Sequence, residues 1–251
     1  MRPPFLLSLL AGALLAGAGC QLSPPPPAAP ASSSAGPSAA DFADSAAYNV
    51  ALLIVDGVYN TELTAPYDIF QHTRYRPGIR PLRPFTVARD RRPVRTFEGM
   101  RILPDFGYRT DSLPRIDVLV VPSAEHHLDS DLEDAEMIDF VRRADAGARF
   151  VTSHCDGAFV LAQAGLLDGR VSTTFPADVA ALRDRFPQLD VRENLLFVHD
   201  GKYITSAGGA RSFEAALYLT EHLYGDSIAR RLAQGLVIDW DLTQVPHLVV
   251  E

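Results

Sequence analysis

The stretch ARFVTSHCDGAFVLAQAG, residues 148–165, decides how this chain folds. An apolar run ends at Val151 and passes through Thr152, Ser153 and His154 to Cys155, where a helix-like pattern begins at once. A strand that hands over directly to a helix puts the junction residue on the carboxyl rim of a sheet, where open α/β proteins bind ligands. Cys155 is one of two cysteines in the chain, and the other, Cys20, belongs to the N-terminal leader. A cysteine at such a turn has the geometry of a nucleophile elbow, exposed above the sheet with a helix N-terminus beneath it. The unsatisfied amides and dipole of that helix favour the thiolate and predict a thiol pKa below the free value. The competing reading is an inert buried cysteine, since the thiol packs as a small hydrophobe.

The same strand-then-helix alternation extends in both directions. Upstream, YNVALLIVD (48–56) and RIDVLVVPS (115–123) are continuous apolar runs of the kind covered on both faces of a sheet. GVYNTELTAPYDIFQHT (57–73) turns into a helix that Thr61 or Thr64 can cap, and DSDLEDAEMIDFVRRADAG (129–147) is an amphipathic helix stopped by Gly147. RPFTVARD (83–90) and PVRTFEG (93–99) are short strand candidates. Downstream come a helix at DVAALRDRF (178–186), a hairpin turning at Asp200 and Gly201, and helices at 209–225 and 226–236 before an extended tail. Strands alternating with helices predict an α/β domain with a mainly parallel sheet, helices on both faces, over residues 48–251. Trp240 is expected to pack the tail onto the domain.

Three strand ends then share one rim: Glu62 follows the first strand, Ser123 and Ala124 follow the 115–123 strand, and Cys155 follows the third. The backbone amide of Asp156 is placed to hold developing negative charge, with an amide near Ser123 or Ala124 as the second donor. His126 and His127 lie in a loop on this rim, where a histidine can act through a water, although surface loop histidines are the plainer reading. Glu125, His126 and His127 make a poor metal site, because adjacent histidines splay and no closing ligand is evident. Gly208 and Gly209 precede a helix but lack the lysine and spacing of a phosphate loop, so close packing is the expected reason for them and no cofactor is implied.

The first 20 residues read as an export signal, with Arg2 followed by FLLSLLAGALLAGAG (5–19) and Cys20. The apolar run is short for a bilayer span, which needs about 20 residues. Residues 21–47, rich in Pro, Ala and Ser, have no periodic apolar face and are expected to form a disordered tether. A cysteine ending such a leader resembles a bacterial lipobox, although Gly17 stands where an aliphatic residue is usual; lipidation of Cys20 and a periplasm-facing location are the expectation. With Cys20 acylated, Cys155 has no disulfide partner. A net charge of −8 argues against nucleic acid as a partner.

Three segments, VDGVYNTELTAPYDIF (55–70), SHCDGAFVLAQAGLLDGRVSTTFPADV (153–179) and ITSAGGARSFEAALYLTEHLYG (204–225), resemble the ThiJ/PfpI superfamily of DJ-type proteins. That resemblance implies a flavodoxin-like three-layer sandwich similar to the class I glutamine amidotransferase domain, and a homodimer. It is most similar to the branch containing isonitrile hydratases and the ligand-sensing halves of AraC-type regulators; no helix-turn-helix extension is read after the last helix. It implies that Cys155 is the elbow nucleophile and Glu62 the acid that contacts it. Phe175 stands where many members carry a histidine that reaches the cysteine, and His154, one residue before Cys155 along the strand, is expected to face away from it. The leading expectation is hydrolase or hydratase chemistry on a small carbonyl, amide or nitrile-like substrate. The alternatives are a non-catalytic ligand-binding or redox-sensing module, and an α/β-hydrolase-like cysteine hydrolase using His199 or His222 as base.

Overall fold

The computed structural model describes residues 36–250. The expected export signal, Cys20 and most of the Pro/Ala/Ser segment lie outside the described residues. The main sheet has eight strands: β1 (Tyr48–Leu53), β2 (Leu82–Ala88), β3 (Phe106–Gly107), β4 (Val118–Val121), β5 (Phe150–His154), β6 (Phe197–Asp200), β7 (Tyr203–Ser206) and β8 (His247–Val250). Their spatial order is β8-β6-β7-β5-β4-β1-β2-β3. Six run parallel, while β6 and β8 run against them, because the β6–β7 hairpin turns at Gly201 with a positive φ that suits glycine. The extended tail supplies β8, pairing His247 with Phe197.

Alternation along β1 shows why these runs need cover on both faces. Ala51 and Leu53 join one core, while Val50 and Leu52 join the other. Helices α2 (Ala135–Gly147), α3 (Gly157–Gln163) and α4 (Val179–Arg185) cover the first face. The second is covered by α1 (Asn60–His72), α5 (Ser212–Tyr224) and α6 (Asp226–Gly235). This is the α/β sandwich with a mainly parallel sheet that the strand–helix alternation predicts. Trp240 packs as expected: it is buried and donates its indole N–H to Glu221 at 2.6 Å.

Two local expectations change. Residues 39–47 do not belong to a tether. Ala39–Phe42 form a short 3₁₀ turn, and the Phe42 ring meets Phe85 at 5.0 Å and Phe106 at 5.6 Å between centroids. Asp41 and Phe42 also accept hydrogen bonds from Arg83 and Asn49. One aromatic in a polar segment carries no periodic signal, yet it caps the exposed edge of the sheet. In α1 neither threonine caps the helix: Tyr59 precedes it, and Glu98 accepts from the Asn60 amide instead. Residues 93–99 contribute only Val94–Arg95, paired with Arg101–Ile102 in a separate ribbon.

Candidate active site

Cys155 leaves β5 with φ at +50°, a conformation rare for a residue with a side chain and a source of stored strain at functional turns. Two glycines permit it. A Cβ on Gly208, itself at φ +75° and ψ −151°, would lie 2.6 Å from the Cys155 nitrogen and 2.8 Å from Glu62 Oε1. A Cβ on Gly157 would run into the Val121 carbonyl. Gly157 therefore serves close approach of α3 to β4. The close-packing reading of the glycine pair holds for Gly208; Gly209 instead lends its amide to Glu62.

Glu62, in the first turn of α1, is buried and meets the cysteine as expected. Its Oε2 accepts from the Ser123 amide at 2.9 Å, and its Oε1 accepts from the Gly209 amide at 2.9 Å. Burial raises its pKa, opposed by those two amides and by the neighbouring Cys155 thiol. Cys155 is only 7% exposed, so it is not perched above the sheet. Burial pushes its thiol strongly up, and the negative charges of Glu62 and Asp156 add to that push. The expectation of a lowered thiol pKa is thus overturned: the seven-residue α3 cannot outweigh desolvation and two carboxylates. The thiol rests protonated and donates to Asp156 Oδ2 at 3.5 Å.

The three amides expected to hold an oxyanion are all engaged. Ser123 N–H serves Glu62, Ala124 N–H donates to His127 Nδ1 at 3.2 Å, and Asp156 N–H donates to the Cys155 sulfur. Ser123 contributes its hydroxyl too, which is buried beside the thiol and favours its ionised form. His126 stands half-exposed, 3.5 Å from Asp129, and lines a cavity of about 440 Å³ with Asp56, Arg89 and Asp131 that does not include Cys155. His127 is buried rather than on the surface, and burial lowers its pKa to about 3. Phe175 is 40% exposed at the turn after Thr174.

His154 faces away, bonding Ser206 Oγ through Nδ1 at 3.0 Å, with its pKa lowered by burial to about 4. His199 is tied to Tyr218 at 2.7 Å and to the Gly201 carbonyl at 2.9 Å, and His222 packs edge-to-face against His199 and Phe150. Neither reaches Cys155, so the hydrolase-like triad is not formed. Unforeseen from the sequence are the side chains of Asp156 and Thr174. Thr174 Oγ1 donates to the Cys155 carbonyl at 2.9 Å and lies 3.4 Å from Asp156 Oδ1. Tyr59 borders the thiol, its phenol raised by burial and by the charges of Cys155, Asp156 and Glu62, and its ring lies 4.7 Å from the exposed Phe97 ring.

The sequence profile of the DJ-1/PfpI family matches residues 48–222, well over half the chain. The chain belongs to the DJ-1/PfpI family. Among its relatives, the isonitrile hydratase of Pseudomonas putida is 30% identical over 187 residues, covering 73% of this chain and 75% of that protein. The HTH-type transcriptional regulator GbdR of Pseudomonas aeruginosa is 24% identical over 191 residues, and the match covers 51% of the regulator. Of solved DJ-1/PfpI structures, a ThiJ/PfpI family protein from Pseudomonas syringae superposes with a TM-score of 0.66 at 25% identity, covering 78% of this chain and 76% of that one. Drosophila melanogaster DJ-1beta gives 0.65 at 21% identity, with 77% and 100% covered. The fold is accordingly the flavodoxin-like arrangement of the family.

Proposed function

We propose that this DJ-1/PfpI protein is a cysteine-dependent hydratase acting on small isonitriles or similarly compact electrophiles. The observation that carries the reading is the buried, protonated thiol of Cys155 at a strained elbow, in contact with two carboxyl groups. A thiol kept neutral suits a substrate that must receive both sulfur and a proton. Sulfur adds to the isonitrile carbon, water adds to the resulting C=N bond, and loss of the thiol leaves an N-substituted formamide. Glu62, fixed by the Ser123 and Gly209 amides, holds the sulfur in place. Tyr59 and Phe97 offer an apolar wall for the substituent on the isonitrile nitrogen. The relationship to the Pseudomonas putida isonitrile hydratase supports this choice over a nitrile or an aldehyde.

The test is conversion of cyclohexyl isocyanide to its formamide, beside a nitrile and an aldehyde of like size. Wild type should turn over the isonitrile, and Cys155→Ser should lose at least about a thousandfold in rate. A folded chain inert to all three would overturn the reading and favour the ligand-binding alternative, which the similarity to GbdR supports. We also propose that the chain is exported, lipidated on Cys20 and homodimeric. A mature protein with an unmodified Cys20, or one that sediments as a monomer, would contradict the corresponding part.

A further inference from the structure

We infer that the Asp156 side chain is the proton carrier of this site: it takes the Cys155 thiol proton as sulfur attacks and delivers it to the carbon just bonded. The inference rests on the hydratase reading above and assigns the step that reading leaves without a base. Phe175 occupies the place where the resemblance implies a histidine, and His126 and His154 point elsewhere.

Two carboxyls touch the sulfur, and their surroundings differ. Both oxygens of Glu62 already accept backbone N–H groups at 2.9 Å, which offsets part of the rise that burial imposes and makes Glu62 a fixed strut. Asp156 caps α3 without any side-chain hydrogen bond to its amides. Its Oδ2 faces Sγ at 3.5 Å, and its Oδ1 faces Thr174 Oγ1 at 3.4 Å, whose single proton goes to the Cys155 carbonyl at 2.9 Å. Asp156 is 8% exposed, so water does little for it. A desolvated carboxylate that accepts no backbone amide, only the weak thiol donor and a hydroxyl committed elsewhere, is the more basic of the two. Burial, then the charge of Asp178, push its pKa up to about 7, where it can both take and return a proton. The titratable groups facing it are Cys155, Glu62 and Asp178, with the Tyr59 phenol nearby.

The placement fits an isonitrile in particular, because sulfur and hydrogen then add to one carbon. The S–H proton moves to Asp156 as the C–S bond forms. Asp156 gives that proton to the same carbon, leaving a thioimidate on Cys155. Water adds across C=N, its oxygen to carbon and a proton to nitrogen. The C–S bond breaks, the oxygen-bound proton is lost to Asp156 and then to the leaving sulfur, and formamide and thiol remain. No oxidant or reductant is needed.

The experiment pairs two readouts on the full chain. Iodoacetamide alkylation of Cys155 against pH needs no substrate and reports the coupling; cyclohexyl isocyanide turnover reports the proton transfer. Asp156→Asn should alkylate at least tenfold faster at pH 8, because a like charge has left the sulfur, while turnover falls at least a hundredfold. Glu62→Gln also removes a like charge and should speed alkylation, so the turnover profile separates the two: its acid limb should persist in Glu62→Gln and vanish in Asp156→Asn. Asp178→Asn, near the surface, is the second variant, should Asp156→Asn fold poorly. It should move the acid limb of the turnover profile to lower pH, since a like charge beside Asp156 is gone. Unchanged alkylation in Asp156→Asn, or turnover within threefold of wild type, overturns the inference. An unmoved acid limb in Asp178→Asn does so too. Inert wild type with normal coupling overturns the hydratase reading and with it the proton-carrier role, leaving only the coupled pair.

Discussion

At the residue scale, the site is set by which polar groups have partners. Glu62 was visible in the sequence as an acid on the rim, and Cys155 as an elbow. The tuning was not, because it depends on three-dimensional neighbours: two amides on Glu62, none on Asp156, and burial over the thiol. The helix-dipole argument for a low thiol pKa failed because desolvation of a buried charge outweighs a short helix. The same imbalance affects stability. Asp156 is protonated more readily in the folded chain than in the unfolded one. Its contribution is therefore fully present below the unfolded carboxyl pKa and is lost as pH rises through about 7. Asp156→Asn should gain stability relative to wild type by about 2 kcal/mol on going from pH 5 to pH 8, read from urea midpoints. A constant difference across that range would contradict the raised pKa.

At the element scale, strand and helix order was legible, because buried strands leave continuous apolar runs and helices leave a 3.6-residue stripe. What periodicity missed were contacts made by backbone. The Gly208–Gly209 turn reads as a glycine pair before a helix; only the fold reveals that it closes over Cys155 and clamps Glu62. Gly208 sits in a region of φ/ψ space that is essentially reserved for glycine. Gly208→Ala should cost about 2–4 kcal/mol in denaturant unfolding and disturb the Glu62–Cys155 contact, since the added methyl crowds both residues. Retention of wild-type stability would mean that the turn relaxes away from the cysteine. The tail strand β8 was readable only as extended, since one edge strand in an isolated segment has no partner in the sequence to reveal its pairing.

At the scale of the whole molecule, the domain extends further toward the N-terminus than composition suggests. A segment rich in Ala, Ser and Asp looks unable to order itself, yet Phe42 seats its ring against Phe85 and Phe106 at the β2–β3 edge. Phe42→Ala should lower unfolding stability by about 2 kcal/mol, the cost of a half-buried aromatic contact, without altering turnover. No loss would mean that the segment rides free of the fold. The two carboxyls, the buried thiol and the aromatic wall are the grounds for the proposed addition of sulfur and a proton to a single substrate atom. The most direct measurement is the intact mass of the chain mixed with excess cyclohexyl isocyanide. An increment equal to the whole substrate mass, mapped to Cys155 and absent in Cys155→Ser, is expected. An unshifted mass under conditions of active turnover, or an adduct at another residue, would contradict it.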